Sequence, residues 1–319
     1  RVSHVMMHPE AAIEMTEVIR DALNQLIQQV TAEVAAEPAD VLEMALVANP
    51  VMHHILLGIN PVELGGAPFA LATDEALTLT AAELGLRMNR GGRIYVLPCI
   101  AGHVGADTTG VILSEQPQDQ EQITLLVDVG TNAEIVLGNR HQLLACSSPT
   151  GPAFEGAQIS CGQRAAVGAI ERVRIDTQTL EPRYKVIGSD LWSDEPEFEA
   201  AIASSGVTGI CGSGIVDVVA QMYLAGIIST DGVIDGALAR SSERIISNGR
   251  TWSYVLKAGD ADIVVTQNDV RQIQLAKAAL YAGVKLLMDH MGVTTVDRIR
   301  LAGAFGSHID VKYAMVLGL

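Results

Sequence analysis

The stretch that most constrains this chain is LLVDVGTNAEIVL, residues 125–137. An apolar run ends on an acid, Asp128. Gly130, Thr131 and Asn132 turn the chain, and a second apolar run returns. Short apolar runs bounded by turn signals read as buried strands. The unit is therefore strand–loop–strand, unlike the strand–loop–helix of a P-loop. A two-residue turn carrying Gly or Asn is common in ordinary hairpins, so the turn by itself has two readings. In the second it is an anion loop. Gly130 lets backbone approach closely, and Thr131 and Asn132 add hydroxyl and amide donors. Asp128 can hold Mg²⁺, directly or through water, or orient an attacking water.

Composition narrows the partners. Twenty-one Lys and Arg against 37 Asp and Glu give a net charge of −16 in 319 residues. That argues against a broad phosphate-tracking surface for nucleic acid. It leaves room for one small anion, because backbone amides bind phosphate without net positive charge. Aromatics are 4% and glycines number 30, so the core must be aliphatic and the chain rich in tight turns. No run of 18 apolar residues predicts a membrane span. No signal peptide is visible, and without an initiating Met both ends read as cut. Cys99, Cys146, Cys161 and Cys211 have no paired zinc or iron–sulfur spacing and read as buried thiols of a reducing cytoplasm.

Periodicity predicts α/β architecture. Residues 11–34 repeat Met15, Val18, Ile19, Leu23, Leu26, Ile27 and Val30 at helical spacing. Strands are expected at 41–47, 93–97, 123–129, 133–137, 142–146, 263–266 and 296–302. Helices are expected at 51–57, 81–86 and 213–225. Residues 100–113 also have the small residues for a helix, and another starts near Asn268 behind Thr266 and Asp269 with a capping-box pattern. His53 and His54, adjacent on a helix, lack metal-pair spacing and read as capping or surface residues. The polar stretch 115–122, with Pro117, is the linker candidate, leaving 1–114 and 123–319 as domains.

Walker A is excluded, since none of the five lysines follows a glycine. No well-placed GxGxxG supports a dinucleotide fold. Three further small-residue loops accompany the first: IAGHVGADTTG (100–110), with Asp107, Thr108 and Thr109 as oxygen ligands; TGICGSGIVD (208–217), where Gly209, Gly212, Ser213 and Gly214 precede an apolar helix; and LAGAFG (301–306), whose Gly303, Ala304 and Gly306 can admit a flat base against backbone. Glu155, in GPAFEGA, can contact Mg²⁺ or a water, cap a helix, or pair with Arg164.

The set and order of these motifs resemble the superfamily of acetate and sugar kinases, heat-shock chaperones and actin. More closely, the chain resembles the C-terminal ATPase region of the reductive activators of corrinoid proteins. The resemblance runs through NPVMHHILLGINP (49–61), LPCIAGHVGADT (97–108), DVGTNAEIVLG (128–138), GPAFEGAQISCGQRAAVGAIE (151–171), GICGSGIVD, VTQNDVRQIQLAKAAL (265–280) and LAGAFG. It implies a two-lobed actin-like ATPase fold of mixed sheets flanked by helices. It also implies ATP and Mg²⁺ as cofactors, a corrinoid protein as partner, and possible homodimerisation. Members use ATP to drive an electron onto cobalt, restoring Co(I). By motif match, Asp128, Gly130, Thr131 and Asn132 correspond to the second phosphate loop, residues 100–110 to the first connecting segment, and Gly303, Ala304 and Gly306 to the adenosine loop. Gly209, Gly212 and Gly214 match a further glycine motif of the family.

Three family features are missing: the first DxGTT phosphate loop, the ferredoxin cysteines, and the chain beyond the adenosine loop. The resemblance therefore implies a fragment with an incomplete first lobe, its two-iron cluster outside this chain. Such a fragment is expected to bind ATP poorly and hydrolyse it negligibly. Two other functions suit the same fold: a small-metabolite kinase, with Asp107 as the candidate catalytic Asp near the first connecting segment, or a nucleotide-independent docking module for a corrinoid protein.

Overall fold

A computed structural model describes residues 2–259 and 261–319. Two compact units divide the chain. The first comprises Arg1–Leu125, Val136–Ser147 and Val296–Arg298; the second comprises Leu126–Ile135, Ser148–Thr295 and Ile299–Leu319.

In the first unit, helices α1 (Val2–Met7) and α2 (Ala11–Glu33) precede β1 (Glu43–Leu46) and α3 (Pro50–Leu57). They are followed by β2 (Leu77–Thr80), β3 (Arg93–Val96) and α4 (Ala106–Glu115). The sheet is mixed, in order β1-β3-β2, with β3 parallel to β1 and antiparallel to β2. Alternate residues Ile94 and Val96 face a core of Ile27, Ala81, Leu84, Leu86 and Met88.

Helix α2 spans the expected residues but turns a different face inward. Thr16, Asn24, Ile27 and Thr31 are buried, whereas Val18, Leu26 and Val30 are exposed. Hydrogen bonds explain the rotation. Thr16 donates to the Ile55 carbonyl at 2.9 Å, Arg20 to Leu56, and Asn24 to Gly85, while Arg87 N–H donates back to Asn24. The Ile55 carbonyl is buried and would lose its donor if the helix turned its aliphatic face inward, and single exposed aliphatic side chains are tolerated on a surface.

Two sequence expectations fail here. Residues 81–86 form a turn rather than a helix, because Gly85 takes a left-handed φ of 64° and ends the helical path after one turn. His53 and His54 are buried rather than on the surface. His54 Nδ1 faces the Pro50 carbonyl at 2.9 Å, and Nε2 accepts the Ala72 N–H at 2.9 Å. The neutral Nδ1–H tautomer satisfies both. His53 is fully buried, and neither ring nitrogen has a hydrogen-bond partner. Burial, then the neighbouring His54, holds its pKa below the ordinary value, against an opposing influence from the Leu97 backbone.

Strands β4 (Thr124–Val129), β5 (Ala133–Asn139) and β6 (Gln142–Ser148) follow, and a later strand, Arg298–Ala302, joins them in a four-stranded sheet outside β4.

In the second unit, β7 (Ala169–Ile175) pairs antiparallel with β8 (Pro182–Val186). After the short α5 (Phe198–Ala201), it pairs parallel with β9 (Gly209–Ile210). Helix α6 (Gly212–Leu224) is buried on nearly every side and lies against β7. A meander of β10 (Ile245–Asn248), β11 (Thr251–Lys257) and β12 (Ile263–Thr266) leads into α7 (Gln267–Met291). The capping box forms as expected, with Thr266 accepting from Asp269 N–H and Asp269 from Thr266 N–H. The chain closes with β13 (Arg298–Ala302), α8 (Gly303–His308) and α9 (Val311–Leu317).

Among the described residues no helix is long and apolar enough to cross a membrane. None of the four cysteines is disulfide-bonded. Cys99 and Cys211 are buried as expected, but Cys146 and Cys161 are partly exposed.

Candidate functional site

In the second unit, β4 carries Asp128 to its C-terminal end, half-buried. The next turn folds on itself, Gly130 N–H donating to the Asn132 carbonyl at 2.9 Å. It is pinned from beneath. Thr150 Oγ1 donates to the Gly130 carbonyl at 2.9 Å, and Gly151 N–H donates to Thr131 at 2.9 Å. Thr131 and Asn132 themselves are exposed. The turn is thus a rigid loop presenting its side chains to solvent, more braced than a free hairpin end.

Two other segments reach this loop. Thr131 Oγ1 donates to Glu155 Oε1 at 2.9 Å, and Glu155 is exposed. Of the alternatives open for Glu155, pairing with Arg164 is not the one the structure adopts. Gly303, the first residue of α8, lies directly against Asp128. Its φ is 78°, and a Cβ there would overlap the Asp128 carboxylate. Glycine is required twice over, by backbone conformation and by space. Gly303 and Ala304 are exposed, while Gly306 is buried against Leu301. Residues 128–132, 155 and 303–304 therefore converge on one solvent-facing spot, although 175 residues of sequence separate its ends.

The GICGSG motif behaves differently. Gly209, Gly212, Ser213 and Gly214 are all buried. A Cβ at Gly212 would overlap the Phe154 carbonyl and the Phe305 ring, one at Gly214 the Ile170 carbonyl, and one at Gly209 would lie 2.8 Å from the Cys161 carbonyl. These glycines let α6 begin in contact with its neighbours. The rings of Phe154, one residue before Glu155, and Phe305, on α8, pack in a tilted pair with centroids 6.2 Å apart beside Gly212. The motif thereby ties the Glu155 turn to the 303–306 segment. Neither the Phe154–Phe305 pair nor the Thr150 brace had a sequence signal, since each depends on contacts between distant segments.

Asp107 and Thr108 belong to the first unit, at the start of α4. Asp107 accepts the Thr108 N–H at 2.8 Å, and burial pushes its carboxyl above the usual range. Thr108 Oγ1 is buried without a partner, and Thr109 donates to the Pro98 carbonyl.

The oxygen donors at the loop suit a hard cation. Asp128, Thr131 and Glu155 offer two carboxylates and a hydroxyl, hard oxygen donors too few for a full protein cage. Among the described residues no three His, Cys, Asp or Glu gather as a metal centre. The cysteines do not fit an iron–sulfur cluster.

Comparison with known proteins gives this geometry a family. Residues 122–319 match the C-terminal domain of RACo, the ASKHA domain, and residues 1–120 match the RACo middle region. The chain is 34% identical, over its whole length, to the Corrinoid activation enzyme RamQ of Eubacterium limosum, covering 53% of that protein. It is 28% identical over 70% of its length to a [Co(II) methylated amine-specific corrinoid protein] reductase of Methanosarcina barkeri, covering 40% of that protein. A solved structure, a reductive activator for corrinoid, iron–sulfur protein, superposes on 99% of the chain with a TM-score of 0.81 and 33% identity. The chain covers 49% of that structure, so it spans about half the length of these relatives. Its actin-like mixed α/β fold and its sequence agree, and the chain belongs to the RACo family of reductive activators, of which it carries the middle region and the ASKHA domain.

Proposed function

We propose that this chain is the ATP-dependent part of a cytoplasmic reductive activator, which couples ATP hydrolysis to one-electron reduction of a corrinoid protein from Co(II) to Co(I). The observation that carries this reading is the convergence of Asp128, Gly130–Asn132, Glu155 and Gly303–Ala304 on one open spot. The loop backbone at Gly130 approaches phosphate, with Asn132 as an added donor. Thr131 directs its hydroxyl hydrogen to Glu155, which leaves its oxygen lone pairs for a cation. Asp128 and Thr131 would hold Mg²⁺, and Glu155 supports it or orients the attacking water. Mg²⁺ supplies charge neutralisation on the phosphate oxygens. Residues 303–306 take the adenosine. Gly209, Gly212, Ser213 and Gly214 act through packing, holding α6 against that segment. Asp107 and Thr108 are proposed as the connecting-segment residues of the first lobe.

The electron comes from an iron–sulfur cluster outside this chain, and homodimerisation is part of the same reading. Residues 115–122 are proposed as the linker between 1–114 and 123–319. The two family matches, meeting between residues 120 and 122, support that boundary.

The test uses the full-length protein with its corrinoid partner. Reduction of Co(II) to Co(I), followed by absorbance, should require ATP and should lose its ATP stimulation in Asp128→Asn. Equal reduction with and without ATP rejects the proposal. ATP-dependent phosphorylation of a small acceptor in place of cobalt reduction would favour a kinase.

A further inference from the structure

Arg174, on β7, sits where the sheet alone disfavours it. Its direct cross-strand partner on β8 is Arg183, and Arg172 faces Lys185 two residues away. Like charges opposite one another destabilise a pair of strands. The compensation for Arg174 comes from elsewhere in the unit.

Its guanidinium forks between two carboxylates. Nη1 donates to Asp217 Oδ2 at 2.7 Å and to the Val173 carbonyl, while Nη2 donates to Asp310 Oδ2 at 3.2 Å. Its Cζ also lies 4.3 Å from the centre of the Tyr313 ring. Asp217 is fully buried on α6, the helix that begins at Gly212. Asp310 is the N-cap of α9, its Oδ1 accepting the Lys312 N–H at 3.0 Å, and Tyr313 is in the first turn of that helix. One side chain therefore clamps the helix of the GICGSG motif to the helix that follows LAGAFG.

The segment between Gly303 and Asp310 thus has three anchors. Gly303 abuts Asp128, Phe305 packs against Phe154 beside Gly212, and Asp310 is held by Arg174. Only the last is ionic. We infer that Arg174 is a positioning residue for the nucleotide: it fixes the far end of residues 303–310, so that Gly303 to Gly306 keep the place of the adenosine without Arg174 touching it. The inference rests on the nucleotide reading above. Lysine keeps the charge but lacks the fork needed to engage both carboxylates.

The experiment compares ATP with inorganic tripolyphosphate by calorimetry on the full-length protein. Tripolyphosphate engages the loop at residues 130–132 and has no adenosine. In Arg174→Lys the Kd for ATP is expected to rise about tenfold, the scale of one lost charge-assisted hydrogen bond, with tripolyphosphate affinity unchanged. A general structural defect would weaken both. Should Arg174→Lys fail to fold around the buried Asp217, Asp310→Asn keeps that pair and the helix cap and removes only the charge at the Nη2 contact. It is expected to weaken ATP several-fold with the same selectivity. Unchanged ATP affinity, or equal loss of both ligands, in a folded variant overturns the inference. Wild-type protein that binds tripolyphosphate but not ATP also overturns it, and wild-type protein that binds neither overturns the nucleotide reading as well.

Discussion

Gly303→Ala tests the contact on which the site is built. Two separate costs are expected. Alanine at a φ of 78° enters the left-handed region, at about 1–2 kcal/mol. Its Cβ would also overlap the Asp128 carboxylate, and forcing a methyl group into a packed place costs about 1–3 kcal/mol. The obstacle is the end of a side chain, so it can yield, and the lower part of that range, about 1–2 kcal/mol, applies. The sum is about 2–4 kcal/mol, a large share of the roughly 5–15 kcal/mol that holds a typical protein folded. In an Asp128→Ala background only the backbone cost of about 1–2 kcal/mol should remain. The double-mutant cycle should therefore give a coupling of about 1–2 kcal/mol. Both tryptophans, Trp192 and Trp252, lie in the second unit. Urea unfolding followed by tryptophan fluorescence reports this unit directly, even if the first unfolds separately. A Gly303→Ala cost that is the same in both backgrounds refutes the steric contact. A cost under about 0.5 kcal/mol, the scale of a neutral surface change, refutes the backbone argument too.

Further tests address the first unit. His53 and His54 both have pKa values held below the ordinary 6.5, chiefly by burial. Near that pH the unfolded chain binds more protons than the folded one, so stability is complete above about 6.5 and falls as pH drops below it. Protection of the Ala72 amide, which donates to His54 Nε2, should decline from neutral to mildly acidic pH once intrinsic exchange is corrected, and flat protection would contradict this. Asp107 acts in the opposite sense: its raised carboxyl holds a proton in the folded chain above the ordinary 3.8, so its cost grows as pH rises through that region. Asn49 caps α3 by accepting the Met52 N–H at 2.9 Å. Asn49→Ala should cost about 1 kcal/mol, and Asn49→Asp little, since both natural cap residues accept equally well. Unchanged exchange protection in α3 of the alanine variant would show that the cap is not needed.

The legible parts of the fold were those governed by local chemistry. Helices α3 and α7 begin at their capping residues and end at left-handed glycines, Gly58 and Gly292. Apolar runs gave β4, β5 and β6 nearly in full. The failures have two causes, partners that are distant in sequence and local patterns too mixed to read. Nothing near Thr16 or Asn24 marks the carbonyls of Ile55 and Gly85 that draw them inward. The meander of β10 and β11, and the pair β7 and β8, carry charges and polar residues that blur alternation. His53 and His54, without metal-pair spacing, read as capping or surface residues, yet α3 turns both into the interior.

The site divides in the same way. Residue types at the turns were fixed by local sequence: an acid at the end of an apolar strand, then Gly130, Thr131 and Asn132, and a glycine at 303 that alone accepts its φ without strain. Those features suggested an anion loop, and the set and order of all the motifs suggested the family. The tertiary structure decided which glycine loops face solvent and which are packing. Gly303 opens onto Asp128 at the surface, whereas Gly212 and Gly214 are sealed against Phe154, Phe305 and Ile170. It also decided that Glu155 engages Thr131 and that Arg174 joins Asp217 to Asp310. A sequence specifies which groups exist and which local bonds they can make. Only packing brings groups 24, 43 or 136 positions apart within hydrogen-bond reach, because those contacts form from the whole core rather than from any one segment.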